Sequence, residues 1–295
     1  MTNASSALLV RTWPHVVLAL CFLSGFSGLL YEVAWARMLH LLFGDTVLAV
    51  STVLAAFMAG LALGSFWIGR SIDRRPRVLA VYAGLEVGIG LSALLFPVVL
   101  ESLTPLYVWL HQSLLSSFWL FSVVRFVLAL ALFCVPTALM GATLPVLSRY
   151  LVHGSGTLGW RVGVLYGVNT GGAVIGCFLA GFLLIGSIGL TRTVWIGAGL
   201  NFVIALVAWA GQRWIATAGT PLAAPPGAPL IASPAAPDAR SGTPPPAPPL
   251  YDRKIVRRVL AAFALAGAAA LSDEVIWTRA SRSSSATRRT PSARC

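Results

Sequence analysis

Long apolar runs recur along this chain and set the strongest limit on its fold. At about 1.5 Å rise per residue, an α-helix of about 20 apolar residues spans a hydrocarbon core of about 30 Å. Because the runs are continuously apolar and do not alternate with polar residues, helices are favoured over a membrane barrel. We therefore predict an all-α, polytopic transmembrane helical bundle. The expected spans lie near 14–43, 47–69, 78–100, 119–148, 160–186 and 193–211, and a seventh begins near 255.

The overall composition agrees with a membrane location. Charged residues make up 10% of the chain and hydrophobic residues 57%. A soluble domain carries roughly 25% charged residues because its surface must be solvated. The expected partner of most of this surface is therefore the lipid bilayer.

The net charge of +12 is distributed unevenly between the two sides of the expected membrane. If the spans alternate in direction, nearly all cations fall on one side, and the opposite loops hold Asp45, Glu101 and His111 with Arg192 as their clear cation. This asymmetry follows the positive-inside rule, which places the N-terminus in the cytoplasm. We expect a multi-pass protein of the cell inner (plasma) membrane, and no nucleic-acid partner. The cations on the expected cytoplasmic side are Arg11, Arg70, Arg74, Arg75, Arg77, Arg149, Arg161, Arg213, Arg253, Lys254, Arg257 and Arg258.

One segment occurs twice. Residues 24–37 read SGFSGLLYEVAWAR and residues 266–279 read AGAAALSDEVIWTR, with Gly, Leu, Glu, Val, Trp and Arg in matching positions. Self-similarity at a long period indicates a duplicated architecture. The chain is therefore expected to hold one six-span half and the start of a second repeat.

This interpretation divides the chain into five parts. Proline and alanine dominate 216–250, which favours an extended linker over a packed core. The parts are an N-terminal cytoplasmic segment (1–13), a six-span transmembrane domain (14–211), a Pro/Ala-rich cytoplasmic linker (212–254), the start of the second transmembrane repeat (255–279) and a basic Ser/Arg-rich tail (280–295).

The tail has two interpretations. It is either a natural basic tail or the product of a frameshift that truncates the second repeat. With one choice of codons, a shifted frame of 283–293 reads ILGNATYAFS, which looks like LFGDTVLAVS at 42–51. We expect a frameshift or truncation.

Five polar residues inside the spans are the candidates to line a cavity. A charge in mid-membrane costs roughly 2.5–3.5 kcal/mol on insertion scales, so such groups need partners or a polar space. Glu32 and Arg37 point to different sides of one helix, and each is expected to meet another span. The alternative for Glu32 is a solvated position near the outer interface. Glu86 is either a proton- or cation-binding carboxyl or a structural partner, in an interhelical hydrogen bond or of a buried arginine. Arg125 and Asn169 complete the set.

A basic loop joins the second and third spans. It consists of Gly69, Asp73, Arg74, Arg75 and Arg77 with intervening residues, and it resembles the loop signature of the major facilitator superfamily. Asp73 is expected to cap a helix or to pair with an arginine of a neighbouring helix. Glycines four residues apart favour close helix packing in lipid, with a moving gate or substrate path as the alternative. The pairs are Gly60 and Gly64, Gly84 and Gly88, Gly167 and Gly171, and Gly172 and Gly176.

No motif in the chain assembles a catalytic centre. Residues 154–159 fit G-x-G-x-x-G, but no strand precedes them and no acid follows at the required distance, which argues against nucleotide binding. The cysteines show no paired spacing. We expect no catalytic residues, no metal and no cofactor.

Four segments together resemble the membrane region of fused spermidine synthase-like proteins. They are 22–70, 136–152, 165–190 and 270–279. In that family a major-facilitator-like helical region precedes a cytoplasmic aminopropyltransferase domain of polyamine biosynthesis. The resemblance implies a facilitator-like half here, but the enzyme domain and its paired aspartates are absent from this chain. Whether the protein counts as an enzyme is therefore left open.

Three functions remain in view. The first is the non-catalytic membrane domain of a spermidine synthase-like fusion. The second is a half-transporter for a small solute, its identity unknown, that works as a homodimer. The third is a membrane anchor or scaffold.

Overall fold

The computed structural model describes residues 3–44, 47–114, 118–151 and 158–217, and single positions between 254 and 272. Every regular element in these ranges is helical. The elements are α1 (Asn3–Phe43), α2 (Val47–Ser71), a 3-10 turn (Ile72–Arg74), α3 (Val78–Leu114), α4 (Phe118–Leu151), α5 (Leu158–Leu179), a π-helical turn (Ala180–Leu184), α6 (Ile185–Ile188) and α7 (Leu190–Thr217).

Six stretches of these helices are long and apolar enough to cross a membrane. The chain is therefore an all-α, multi-pass integral membrane protein, as its apolar runs predict. A helix satisfies its own backbone hydrogen bonds, which lipid cannot do. The six spans are Trp13–Phe43, Val50–Arg74, Val78–Ser113, Trp119–Leu151, Gly159–Ile188 and Leu190–Ala216.

The third span is longer than predicted. We predicted an end near residue 100 and placed Glu101 in a loop, yet the helix continues through Pro97 and Pro105 to Leu114. The extension carries Tyr107, whose ring lies 5.0 Å from that of Phe43 at the end of α1. Packing between the two helix ends therefore outweighs the local helix-breaking signals.

The last helix also exceeds its predicted end. We placed the linker from residue 212, but α7 extends to Thr217. Gln212 and Ile215 are both buried against the bundle, and this burial keeps the last turns helical. Most of the linker and the tail lie outside the described residues, and the positions described between Lys254 and Ser272 are helical.

The bundle is built from three close helix pairs. α1 packs along α5, α2 along α4, and α3 along α7, while α3 also packs on α4 and α1 on α7. Gly44 ends α1 with φ +80°, and Gly189 separates α6 from α7 with φ +85°. This left-handed backbone is open to glycine at little cost, so both positions make sharp breaks between helices.

Two apolar clusters fill the bundle at different depths. The Trp35 cluster contains Tyr31, Trp35, Phe96 and Phe133. The Leu147 cluster contains Val17, Leu79, Leu147 and Ile204. Along α3 the boundary between them falls between Ala83 and Ile89, and the residue in the middle of that boundary is acidic.

Candidate functional site

Glu86 lies at the boundary of the two clusters and is completely buried. Its Oε1 accepts a hydrogen bond of 2.7 Å from Ser24 Oγ on α1. Its Oε2 accepts one from the side-chain amide of Asn201 on α7. The Oδ1 of that asparagine accepts a 2.7 Å hydrogen bond from the hydroxyl of Tyr31. The four side chains form a polar network that joins α1, α3 and α7.

The network needs all of its members. A buried polar atom without a partner costs about 1–3 kcal/mol, and the interior on both sides is apolar. Ser24, Tyr31 and Asn201 supply the donors that the Glu86 carboxyl and the asparagine carbonyl accept. The network therefore fixes the relative register of three helices.

A cavity of about 860 Å³ adjoins this network. Its walls come from α1, α2, α4 and α5, and α3 contributes Ile89. Ser24 lines the cavity and also donates to Glu86, so a single side chain connects the two. Tyr166, Phe178 and Phe182 lie on the open side and are each more than half exposed. The cavity is a cleft to which no described residue of α7 contributes.

Glycines bring α1 and α5 into backbone contact along one wall of the cleft. A Cβ atom at Gly172 would overlap the carbonyl oxygen of Phe22, and one at Gly25 would overlap the carbonyl oxygen of Asn169. Gly25 lies three residues after Phe22, and Gly172 lies three residues after Asn169. Each glycine therefore follows, by three residues, the carbonyl that the other glycine contacts. Contacts of this kind need a residue without a side chain.

The opposite wall repeats this arrangement. A Cβ atom at Gly64 of α2 would overlap the carbonyl oxygen of Ala138 on α4, and one at Gly141 would overlap that of Leu61. The spacing is again three residues on each helix. The α1–α5 and α2–α4 interfaces therefore share one reciprocal glycine contact, and the cleft lies between them.

The main helix pairs follow an exchange relationship of the same kind. Exchanging the first three spans with the last three converts the α2–α4 pair into the α5–α1 pair and the α3–α4 pair into the α7–α1 pair. The α3–α7 pair converts into itself. Since successive spans run in opposite directions, this exchange relates two three-helix units of inverted topology.

The small-residue spacings predict these interfaces only in part. Gly60, Gly64, Gly172 and Gly176 all lie where a Cβ would overlap a neighbouring helix. Gly84 has open space around it, as does Gly167. Spacing alone therefore does not distinguish a packed glycine from an exposed one.

Of the five candidate residues within the spans, Asn169 lines the cleft. Glu86 does not belong to the described lining and lies one hydrogen bond behind it. Its interhelical hydrogen bonds correspond to one of the two roles that the sequence left open for it. Glu32 is half-buried and is also not among the described lining residues.

Arg37 meets another span, as expected. Its Nη2 donates a 3.4 Å hydrogen bond to the carbonyl oxygen of Gly181, inside the π-helical turn. A π-turn shifts the backbone hydrogen-bond pattern and is frequent at functional sites. Here it presents a carbonyl to an arginine outside the cleft.

Arg125 lies among aromatic rings at the end of the bundle away from the Arg-rich loop. Its guanidinium carbon is 4.6 Å from the ring centre of Phe121 and 5.8 Å from that of Phe43. Such cation–π contacts stabilise by about 0.5–2 kcal/mol. The residue therefore serves packing at the bundle end and does not line the cleft.

The loop residue Asp73 pairs with a neighbouring helix. Arg149 Nε at the end of α4 lies 3.2 Å from Asp73 Oδ1, and Arg161 donates a 2.7 Å hydrogen bond to the carbonyl of Leu151. The α2–α3 and α4–α5 connections therefore lie on the same face of the bundle. Gly69, Arg74, Arg75 and Arg77 are exposed there.

Two partners of Glu86 were missed by sequence reasoning. Asn201 satisfied the same criterion as Asn169, an amide inside an apolar run, and could have been selected. Ser24 carries no such signal because serine is common in membrane helices. Its pairing with Glu86 spans 62 positions of sequence, which no local pattern encodes.

Comparisons with protein-family models, with curated proteins and with solved structures give no match. Within the described ranges, no three His, Cys, Asp or Glu side chains group as metal ligands would. The site consists of a buried carboxyl network beside a cleft with largely apolar walls.

Proposed function

We propose that this chain is the facilitator-like membrane domain of a spermidine synthase-like fusion. The observation that supports it best is the reciprocal glycine contact repeated in the α1–α5 and α2–α4 interfaces. Three-plus-three inverted repeats nested in a six-span half are a feature of major facilitator transporters. A cleft between the repeats is also where such proteins place their ligand site.

The fusion itself rests on the resemblance of the four segments named above. The chain contributes no catalytic residue to that proposal, and its role is that of a membrane domain. Reading the coding sequence past codon 280 in all frames tests it directly. A frame that continues as helices and then as an aminopropyltransferase-like α/β domain is the expected result, and its absence from every frame would refute the fusion.

The inner-membrane location and its orientation are part of the proposal. Asp73 and Arg149 lie on the face that the positive-inside rule assigns to the cytoplasm. In intact cells, a cysteine in place of Arg74 should resist a membrane-impermeant maleimide, and one in place of His111 should react. The reverse labelling pattern would invert the proposed topology.

A second candidate function is solute translocation, with two copies of the half supplying a complete transporter. The cleft favours it because a volume of about 860 Å³ suits a small organic molecule. Translocation is tested by measuring the flux of a solute into proteoliposomes that contain either the natural chain or the Glu86→Gln variant. Flux that falls in the variant, with the fold retained, supports transport. No solute flux with either protein favours an anchor or scaffold.

A further inference from the structure

We infer that the cleft binds a neutral, mainly apolar small molecule and discriminates against polyamines. This inference rests on the proposal that the cleft is a ligand site, and it concerns the class of ligand. The polyamine chemistry attached to spermidine synthase-like fusions would suggest a polycation. The walls of the cleft suggest a neutral ligand instead.

No charged side chain is among the described residues that line the cleft. Bringing a polycation into a membrane-embedded site removes each charge from water, which is strongly unfavourable unless a counter-charge compensates. Glu86 lies behind Ser24, and both of its oxygens already accept hydrogen bonds within the network. The described lining therefore offers no carboxylate to an ammonium group, and Glu32, which acts electrostatically on the lining residue Cys177, lies outside it.

The polar groups of the cleft that remain available are neutral. Ser24 donates to Glu86, and the hydroxyl of Thr143 donates to the carbonyl of Met140. Among the described contacts, no hydrogen bond engages the side chains of Asn169, Thr170 or Ser65. One amide and two hydroxyls are thus left to meet a ligand within the cleft, and the hydroxyl of Tyr166, which is more than half exposed, is left at its open side.

These groups lie on opposite walls. Asn169 and Thr170 belong to α5, whereas Ser65 belongs to α2. Phe57, Met140 and other apolar side chains line the rest of the cleft. The arrangement suits a ligand with an apolar body and hydroxyl-like groups at its ends. In an apolar site, a few placed polar groups set orientation and specificity.

A matched pair of probes separates the two ligand classes. 1,8-Octanediol has about the chain length of spermidine but carries hydroxyls in place of ammonium groups. Cys177 lines the cleft and is exposed, so its reaction with N-ethylmaleimide reports occupancy. The experiment uses the full chain in lipid nanodiscs, with Cys21→Ala, Cys134→Ala and Cys295→Ser leaving Cys177 as the reporter.

The diol should slow modification of Cys177 about threefold at a concentration twice its dissociation constant, since the rate falls with the fraction of free sites. Spermidine at the same concentration should leave the rate unchanged. Thr170→Val keeps the shape of the side chain but removes its hydroxyl, and it should weaken protection. Asn169→Leu should do the same.

A reporter outside the cleft supplies the control. Val203 lies on α7 and is more than half exposed, so a cysteine placed there shares the bilayer but not the cleft. Equal slowing at that position would show that the diol acts through the bilayer, and it would overturn the inference. Protection by spermidine would also overturn it, and reversal of that protection by Glu32→Gln would identify the counter-charge.

The result for the ligand class can be distinguished from the result for the proposed function. Protection by the diol without any solute flux retains the ligand class and rejects transport. Spermidine flux with spermidine protection supports transport and rejects the neutral ligand.

Discussion

Glu86 and Asn201 are hydrogen-bonded to each other across the α3–α7 interface although 115 positions of sequence separate them. These two helices form the pair that the exchange of three-helix units converts into itself. The bond therefore lies where the two halves of the six-span unit meet.

Replacing both residues should reveal a favourable coupling. Glu86→Leu and Asn201→Leu each leave buried partners unsatisfied, so the double variant should lose less stability than the sum of the single ones. We expect a coupling free energy of about 1–2 kcal/mol, above the average of about 0.6 for interhelical hydrogen bonds in membranes. Unfolding of the detergent-solubilised protein in a double-mutant cycle measures it. Strict additivity would show that the bond contributes nothing to stability.

The reciprocal glycines should tolerate no side chain. Gly64→Ala and Gly172→Ala each place a Cβ on a backbone carbonyl oxygen, and such overpacking costs about 1–3 kcal/mol. The midpoint of thermal unfolding in detergent should fall for both. Gly167→Ala is the matched control, because nothing lies near that position. An equal fall in the midpoint for Gly167→Ala would contradict the distinction between packed and exposed glycines.

Trp35 should be the most sensitive aromatic position of the bundle core. It is fully buried, and its ring centre lies 5.0 Å from that of Tyr31 and 4.4 Å from that of Phe96. Trp35→Ala should cost about 3–5 kcal/mol through the cavity that it leaves. Trp67 is mostly exposed, and Trp67→Ala provides the comparison in the same unfolding assay. Similar losses for the two variants would contradict the core position of Trp35.

The Asp73–Arg149 pair should matter little for stability. Both side chains are exposed, and surface ion pairs contribute about 0–1 kcal/mol. Asp73→Asn should therefore leave the unfolding midpoint nearly unchanged and independent of salt. A large loss that shrinks at high ionic strength would contradict this expectation, since screening by salt weakens an ion pair.

The sequence predicted most of the fold because lipid imposes a simple rule. Any apolar run long enough to cross must be helical, so six spans could be located from composition alone. Their ends were harder to predict. Pro97 and Pro105 look like breaks, but packing of Tyr107 on Phe43 continues α3 past both of them.

The site was less predictable than the fold. Glu86 and Asn169 were identifiable because polar groups in apolar runs are costly. Glu86 is enclosed in a network, whereas Asn169 lines a cleft. This difference depends on which helices are neighbours, and the sequence does not show that. Arg37 and Arg125 satisfied the same criterion, yet they contact a π-turn carbonyl and aromatic rings.

The glycine contacts have a mechanical consequence. Where two backbones are in direct contact, there is no side-chain rotamer that can adjust. If one helix slid along the other by one residue, a side chain would overlap the carbonyl that the glycine now contacts. The α1–α5 and α2–α4 pairs are therefore each held as one body. Any widening or narrowing of the cleft is therefore expected to move one pair against the other.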